Sequence, residues 1–186
     1  MLLIAQPKSA STSLLMTLSK MMNLKGIKGL KKESWHIEYS DYPILQTYHS
    51  LIFEKSAFEI RLMVNTKKRI YREHLIPENR TFKILDKYNN YIVLLRNPID
   101  SYDNYCRTIN NLNQKKLLKE LELFNFKYRE YLKDKNILII NYEDLILKYN
   151  ETMNKIIKYW NIKSKIIPFE KEKYTGVGVK RLCKKQ

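Results

Sequence analysis

The chain opens with Leu2-Leu3-Ile4-Ala5-Gln6-Pro7-Lys8-Ser9-Ala10-Ser11-Thr12-Ser13, an apolar run followed by a proline, one lysine and a cluster of hydroxyls. Read as strand, tight loop and helix start, these residues build an anion site. Backbone N–H groups at a helix N-terminus point outward, and the helix dipole favours negative charge there. Lys8 adds a full positive charge, and Ser9, Ser11 and Thr12 add donors. The triphosphate-binding loop G-x-x-x-x-G-K-[ST] matches poorly, because no glycine precedes Gly26 and Lys8 comes before the hydroxyl cluster. Taken alone, the stretch also fits a capped helix with Lys8 solvated.

Other reactive groups stand where apolar runs end. Tyr91-Ile92-Val93-Leu94-Leu95 reads as a buried strand and stops at Arg96-Asn97-Pro98. Ile137-Leu138-Ile139-Ile140 is another, followed by Asn141-Tyr142-Glu143-Asp144. A short extended piece delivers Arg72-Glu73-His74-Leu75. Ligands of parallel α/β sheets bind at the carboxyl ends of strands, so basic and hydroxyl groups from separate segments converge on one rim.

The elements that must position them follow from periodicity. Residues 1–6 read as a strand and Thr12 to about Asn23 as a helix, with Leu14, Leu15, Leu18 and Met22 on one face. Pro43 opens a helix to about Lys55, Ile60–Val64 reads as a strand, and a shorter strand covers Arg69 to Arg72. Helices are expected from Pro77 to Lys87, Ile99 to Asn110, Gln114 to Lys133, Tyr142 to Lys148 and Glu151 to Trp160. Apolar strands alternating with helices give an α/β fold, a central parallel sheet with helices on both faces.

At 186 residues the chain is long enough for one domain over 1–186 with a sizeable core. The apolar start is too short for a secretory segment and no long uncharged run spans a membrane, so a cytoplasmic protein is expected. Cys106 and Cys183 lie far apart without metal-ligand spacing, and no disulfide framework is expected. The net charge of +16 fits a polyanionic partner, but the Lys, Ile, Asn and Tyr bias equally fits compositional drift. Charge alone decides nothing.

Together these segments resemble the sulfotransferases that use 3′-phosphoadenosine 5′-phosphosulfate (PAPS). Pro7-Lys8-Ser9-Ala10-Ser11-Thr12 is similar to the family loop P-K-S-G-[ST]-T, and Arg96-Asn97-Pro98-Ile99-Asp100 to the first half of R-N-P-x-D-x-x-x-S. Arg72-Glu73-His74-Leu75-Ile76-Pro77 looks like K-x-H-L-P with one residue added, and Asn141-Tyr142-Glu143-Asp144-Leu145 like F-Y-E-D-L. His74 and Arg96 stand 22 residues apart (96 − 74), as in the cytosolic members. The four segments span residues 7 to 145.

The resemblance implies a P-loop-NTPase-like sulfotransferase fold and sulfuryl transfer from PAPS to a hydroxyl or amine, leaving 3′,5′-adenosine bisphosphate. It implies His74 as general base, with Lys8 and Arg72 completing the catalytic set. The 5′-phosphosulfate falls to Lys8, Ser9, Ala10, Ser11, Thr12 and Ser13, and the 3′-phosphate to Arg96 with Ser101 or Asn104. Tyr142 is expected near the adenine. Lys180 and Arg181, beside Gly176 and Gly178, stand for a degenerate form of the family's C-terminal phosphate loop. No metal is expected, since the transferred sulfuryl is monoanionic.

Three departures carry consequences. Ala10 replaces the loop glycine and is expected to avoid positive φ. Ser13 stands where cytosolic members often have a tryptophan, and Asn104 where the family has serine. Acceptor specificity is assigned to loops at 24–58 and 107–118 and to the tail. Two rivals remain: a P-loop-like ATP-dependent kinase, against which the missing glycine pattern argues, and a basic nucleic-acid-binding protein without enzymatic activity, which predicts steeply salt-dependent affinity; nucleic acid is not the expected partner.

Overall fold

The computed structural model describes residues 1–24, 57–65, 69–108 and 114–170. The order is β1 (Leu2–Ala5), α1 (Ser11–Met21), α2 (Ala57–Asn65), β2 (Tyr71–Glu73), α3 (Asn79–Leu85) and β3 (Tyr91–Leu95). Then come α4 (Pro98–Thr108), α5 (Gln114–Leu132), β4 (Leu138–Asn141), α6 (Tyr142–Leu147) and α7 (Tyr149–Trp160). The expected helix opened by Pro43, the acceptor loop at 24–58 beyond Leu24 and the tail with Lys180 and Arg181 lie outside the described residues, apart from the first turn of α2.

The four strands form one parallel sheet in the order β2-β1-β3-β4. β1 and β3 are its centre, with Leu2 beside Tyr91 and Ala5 beside Leu94. Both are apolar throughout because both of their faces are covered. Alternate residues serve opposite cores. Leu2, Ile4, Tyr91, Val93 and Leu95 pack with Tyr105 of α4 and Leu117, Leu121, Phe124 and Tyr128 of α5. Leu3, Ala5, Ile92 and Leu94 pack with Leu14 and Leu18 of α1 and Met153 and Ile156 of α7. The α/β architecture expected from the sequence is borne out.

One element differs in kind. Ile60–Val64 belongs to helix α2, not to a strand. Ile60, Met63 and Val64 are buried while Arg61 and Leu62 face outward, the i, i+3, i+4 spacing of a helix face. A five-residue apolar run carries too little period to tell the two apart. Elsewhere the expected element ends shift by at most two residues: β2 begins at Tyr71, α3 at Asn79 and α7 at Tyr149.

The sheet order fixes where a ligand can enter. The chain leaves β1 toward one neighbour, β2, and later returns on its other side as β3. Hence α1 and α4 depart from adjacent strand ends to opposite cores. They open a crevice between the carboxyl ends of β1 and β3.

Candidate active site at the carboxyl ends of the sheet

The loop after β1 is tight and strained. Ser9, fully buried, donates its hydroxyl proton to the Gln6 carbonyl at 2.6 Å and closes the turn. Lys8 and Ala10 both take left-handed backbone conformations, with φ of 61° and 58°. The expectation for Ala10 is therefore corrected. The position keeps the left-handed geometry that favours glycine, and an alanine occupies it at a cost of about 1–2 kcal/mol. Ala10 is the N-cap of α1, with no side-chain cap bond, and its carbonyl accepts from Leu14 N–H at 3.1 Å. The first N–H groups of α1 thus face the crevice mouth rather than a capping side chain.

The segment after β3 divides its work by residue. Asn97 Oδ1 accepts from Ile99 N–H at 2.9 Å and caps α4, and Pro98 takes the first helical position, where no amide proton is needed. Arg96 crosses the crevice. Its Nη1 donates to the Lys8 carbonyl at 2.7 Å, and its guanidinium lies 4.2 Å from the Tyr142 ring centroid. Its Nε is buried with no hydrogen-bond partner among the described residues. A buried, charged donor without an acceptor is costly, and an anion in the crevice relieves that cost. The donor set fits an anionic ligand.

Lys8 lies across the crevice against α4, its Nζ 5.3 Å from the Tyr105 ring centroid. Burial first, and then the nearby Glu120 carboxylate, push the Tyr105 hydroxyl well above its ordinary pKa. Tyr105 therefore stays neutral beneath the ammonium.

From the outer edge, β2 sends two groups to the same rim. Arg72 Nη1 reaches Thr12 Oγ1 at 3.1 Å and Ser11 Oγ at 3.4 Å, tying the strand to the first turn of α1. Both hydroxyls accept from the guanidinium and keep their own protons to donate. His74 is 3% exposed, and its Nδ1 donates to the Ala5 carbonyl at 2.6 Å. A carbonyl only accepts, so in the neutral ring Nε2 is the basic nitrogen.

The crevice therefore gathers Lys8, Ser11, Thr12, Arg72, His74, Arg96 and Tyr142. Ser13 is buried on α1, and its carbonyl accepts from Thr17. Ser101 is fully buried, its hydroxyl accepting from Gln6 Nε2 at 3.0 Å, so it braces the end of β1 from below. Asn104 is half-buried on α4. Tyr142 lies on the guanidinium, a contact that placing it beside an adenine did not anticipate. Glu143 accepts from Asn97 N–H at 3.0 Å and joins α6 to the start of α4. Cys106 is a half-buried free thiol.

Sequence reasoning missed Gln6, Asn125 and Arg129. Asn125 Nδ2 donates to Gln6 Oε1 at 3.0 Å and to the Arg96 carbonyl at 2.9 Å, and Arg129 Nε donates to Asn125 Oδ1 at 2.7 Å. One signal was available: Asn125 is an amide within the apolar stripe Leu117, Leu121, Phe124, Tyr128, Leu132 of α5. A helix expected from Gln114 to Lys133 on its apolar period alone gave that amide no role.

Among the described residues no helix is long and apolar enough to cross a membrane. The fold resembles mouse sulfotransferase SULT7A1, solved in complex with PAP, at a TM-score of 0.52 and 16% identity over 89% of this chain and 59% of that one. Uncharacterized protein 050L of Invertebrate iridescent virus 6 is 31% identical over 118 residues, which are 60% of this chain and 11% of the viral protein. With residues 1–175 matching the profile described as sulfotransferase domain, the chain belongs to the sulfotransferase domain family.

Proposed function

We propose that this chain transfers a sulfuryl group from PAPS to a hydroxyl or amine acceptor, with His74 as general base. One observation carries the reading: Arg96 Nη1 donates to the Lys8 carbonyl at 2.7 Å, so cationic residues from two separate strand ends stand side by side at one rim. A nucleotide with phosphates at both its 5′ and 3′ positions has the complementary charge. The PAP held by the mouse relative supports this choice.

Each residue then has a task. Lys8 and the α1 N-terminus face the 5′-phosphate, which receives the electron pair of the breaking S–O bond, in the manner of an oxyanion hole. Arg72, with Ser11 and Thr12, orients the sulfuryl oxygens. His74 Nε2 takes the acceptor's proton as the new bond to sulfur forms. Arg96, its plane held by Tyr142, grips the 3′-phosphate, with Asn104 as a neighbouring donor. Ser9, Ala10 and Ser13 contribute backbone, and Ser101 acts from beneath. Lys180 and Arg181 of the tail join the nucleotide site in this proposal, and residues 1–186 act as one domain in the cytoplasm.

Thermal stabilisation by 3′,5′-adenosine bisphosphate, AMP and ATP tests the assignment. The bisphosphate is expected to give the largest shift. A shift no larger than that of AMP removes the 3′-phosphate role of Arg96 and the reading with it. A larger, magnesium-dependent shift with ATP favours the kinase rival.

A further inference from the structure

Resting on that reading, we propose that Asn125 is a positioning residue that sets the distance between the two phosphate-binding positions. Asn125 is not one of the crevice residues; of its partners only Arg96 reaches into the crevice, by its guanidinium, and Asn125 holds the backbone carbonyl of that residue. The residue works through the backbone of Arg96 and the side chain of Gln6, the last residue before the Pro7 turn.

The orientation of every amide in this cluster is fixed by groups that can only donate. Arg96 N–H lies 3.3 Å from one Gln6 side-chain atom, which must therefore be the oxygen. Gln6 Nε2 is then the atom facing Ser101 Oγ. Arg129 Nε can only donate, so the Asn125 atom 2.7 Å away is Oδ1. Asn125 Nδ2 is left with its two protons toward two acceptors, Gln6 Oε1 and the Arg96 carbonyl. No other neutral side chain of this size supplies two donors and one acceptor in that arrangement.

The consequence is mechanical. Gln6 follows β1 and begins the loop that carries Lys8, and Arg96 begins the turn after β3. Asn125 joins both from a third element, α5, and is itself 8% exposed. Arg129 holds the asparagine from the exposed side and donates through Nη2 to Asn141 Oδ1 at 2.8 Å, and Asn141 Nδ2 donates to Asp144 Oδ2 at 3.1 Å. The chain of amides so runs from β1 through α5 to the end of β4. It holds the Arg96 carbonyl still while its guanidinium meets the ligand. Removing Asn125 leaves the loop able to bind one phosphate and lets Arg96 drift relative to the other.

Calorimetric titration of the full chain with 3′,5′-adenosine bisphosphate and with AMP reads this directly, in the native protein, Asn125→Ala and Arg129→Lys. Asn125→Ala is expected to cut the preference for the bisphosphate by about ten-fold while AMP affinity changes by less than about three-fold. Arg129→Lys keeps the charge at an exposed position and is expected to lose preference in the same direction, by about three-fold. It carries the test should Asn125→Ala fail to fold. Equal weakening of both nucleotides, or an unchanged preference in a folded variant, overturns the positioning role. A native protein without any preference overturns the functional reading instead, and the positioning role falls with it.

Discussion

His74 donates through Nδ1 to the Ala5 carbonyl at 2.6 Å, joining the residue after β2 to the last residue of β1. The parallel register makes the contact possible: Ile4 pairs with Glu73, so the next residue on each strand emerges at the same rim. The bond fixes the tautomer as well as the ring. A histidine so held presents Nε2 as its basic nitrogen, the atom a general base requires.

His74→Asn separates those two roles. Asparagine can keep a donor toward the Ala5 carbonyl but has no basic nitrogen. Sulfuryl transfer is expected to fall by about 10²–10⁴-fold, with bisphosphate affinity within about two-fold of the native value. Turnover and calorimetric titration on the same preparation measure both. Retained turnover takes the role of base away from His74.

Much of this site is legible in the sequence, and the reason is local. Lys8 and Arg96 each follow a short apolar run and His74 a short extended piece, and parallel strands deliver their following residues to one rim. The cap at Asn97 and the first helical position at Pro98 are local signals as well, although the sequence alone places the start of this helix at Ile99. What was hidden depends on distance in the chain. Gln6 and Asn125 lie 119 residues apart, and no local period marks an amide as the partner of another. The Ile60–Val64 run was misread because its helical face has meaning only against the core that covers it. Ala10 is the reverse case: its residue type argued against a backbone geometry that the strand, the turn and α1 together impose.

Arg96→Lys tests whether a fork is needed or only a charge. Lysine cannot at once reach the Lys8 carbonyl, lie flat on Tyr142 and offer a further N–H. The change is expected to cost about 1.5–3 kcal/mol in bisphosphate binding, about ten- to a hundred-fold, with little effect on AMP. Titration of both nucleotides decides it. Equal losses for the two place Arg96 at the 5′ end of the ligand.

Tyr142 lies with its ring centroid 4.2 Å from the guanidinium carbon, a cation–π distance. Tyr142→Phe keeps the ring and is expected to bind the bisphosphate as the native protein does. Tyr142→Leu keeps apolar bulk without the ring and is expected to lose about 0.5–2 kcal/mol. A loss in the phenylalanine variant of the same size shifts the role from the ring face to the hydroxyl.

Ala10→Gly turns the loop's strain into a stability measurement. At φ 58° alanine holds a conformation that costs about 1–2 kcal/mol for a residue with a Cβ. Glycine removes that cost but gives the unfolded chain about 0.4–1 kcal/mol of added entropy. The balance is a gain of about 0.5–1 kcal/mol, or roughly 1–4 °C in Tm for a chain of this length. Ala10→Val, with a branched Cβ at the same φ, is expected to lose about 1–2 kcal/mol. Urea denaturation of the three proteins gives the order glycine, alanine, valine from most to least stable. A glycine variant less stable than the native protein would mean that Ala10 does not hold the left-handed conformation. The loop would then present the first N–H groups of α1 in a different direction, and the cradle assigned to the 5′-phosphate would have to be redrawn around Lys8 alone.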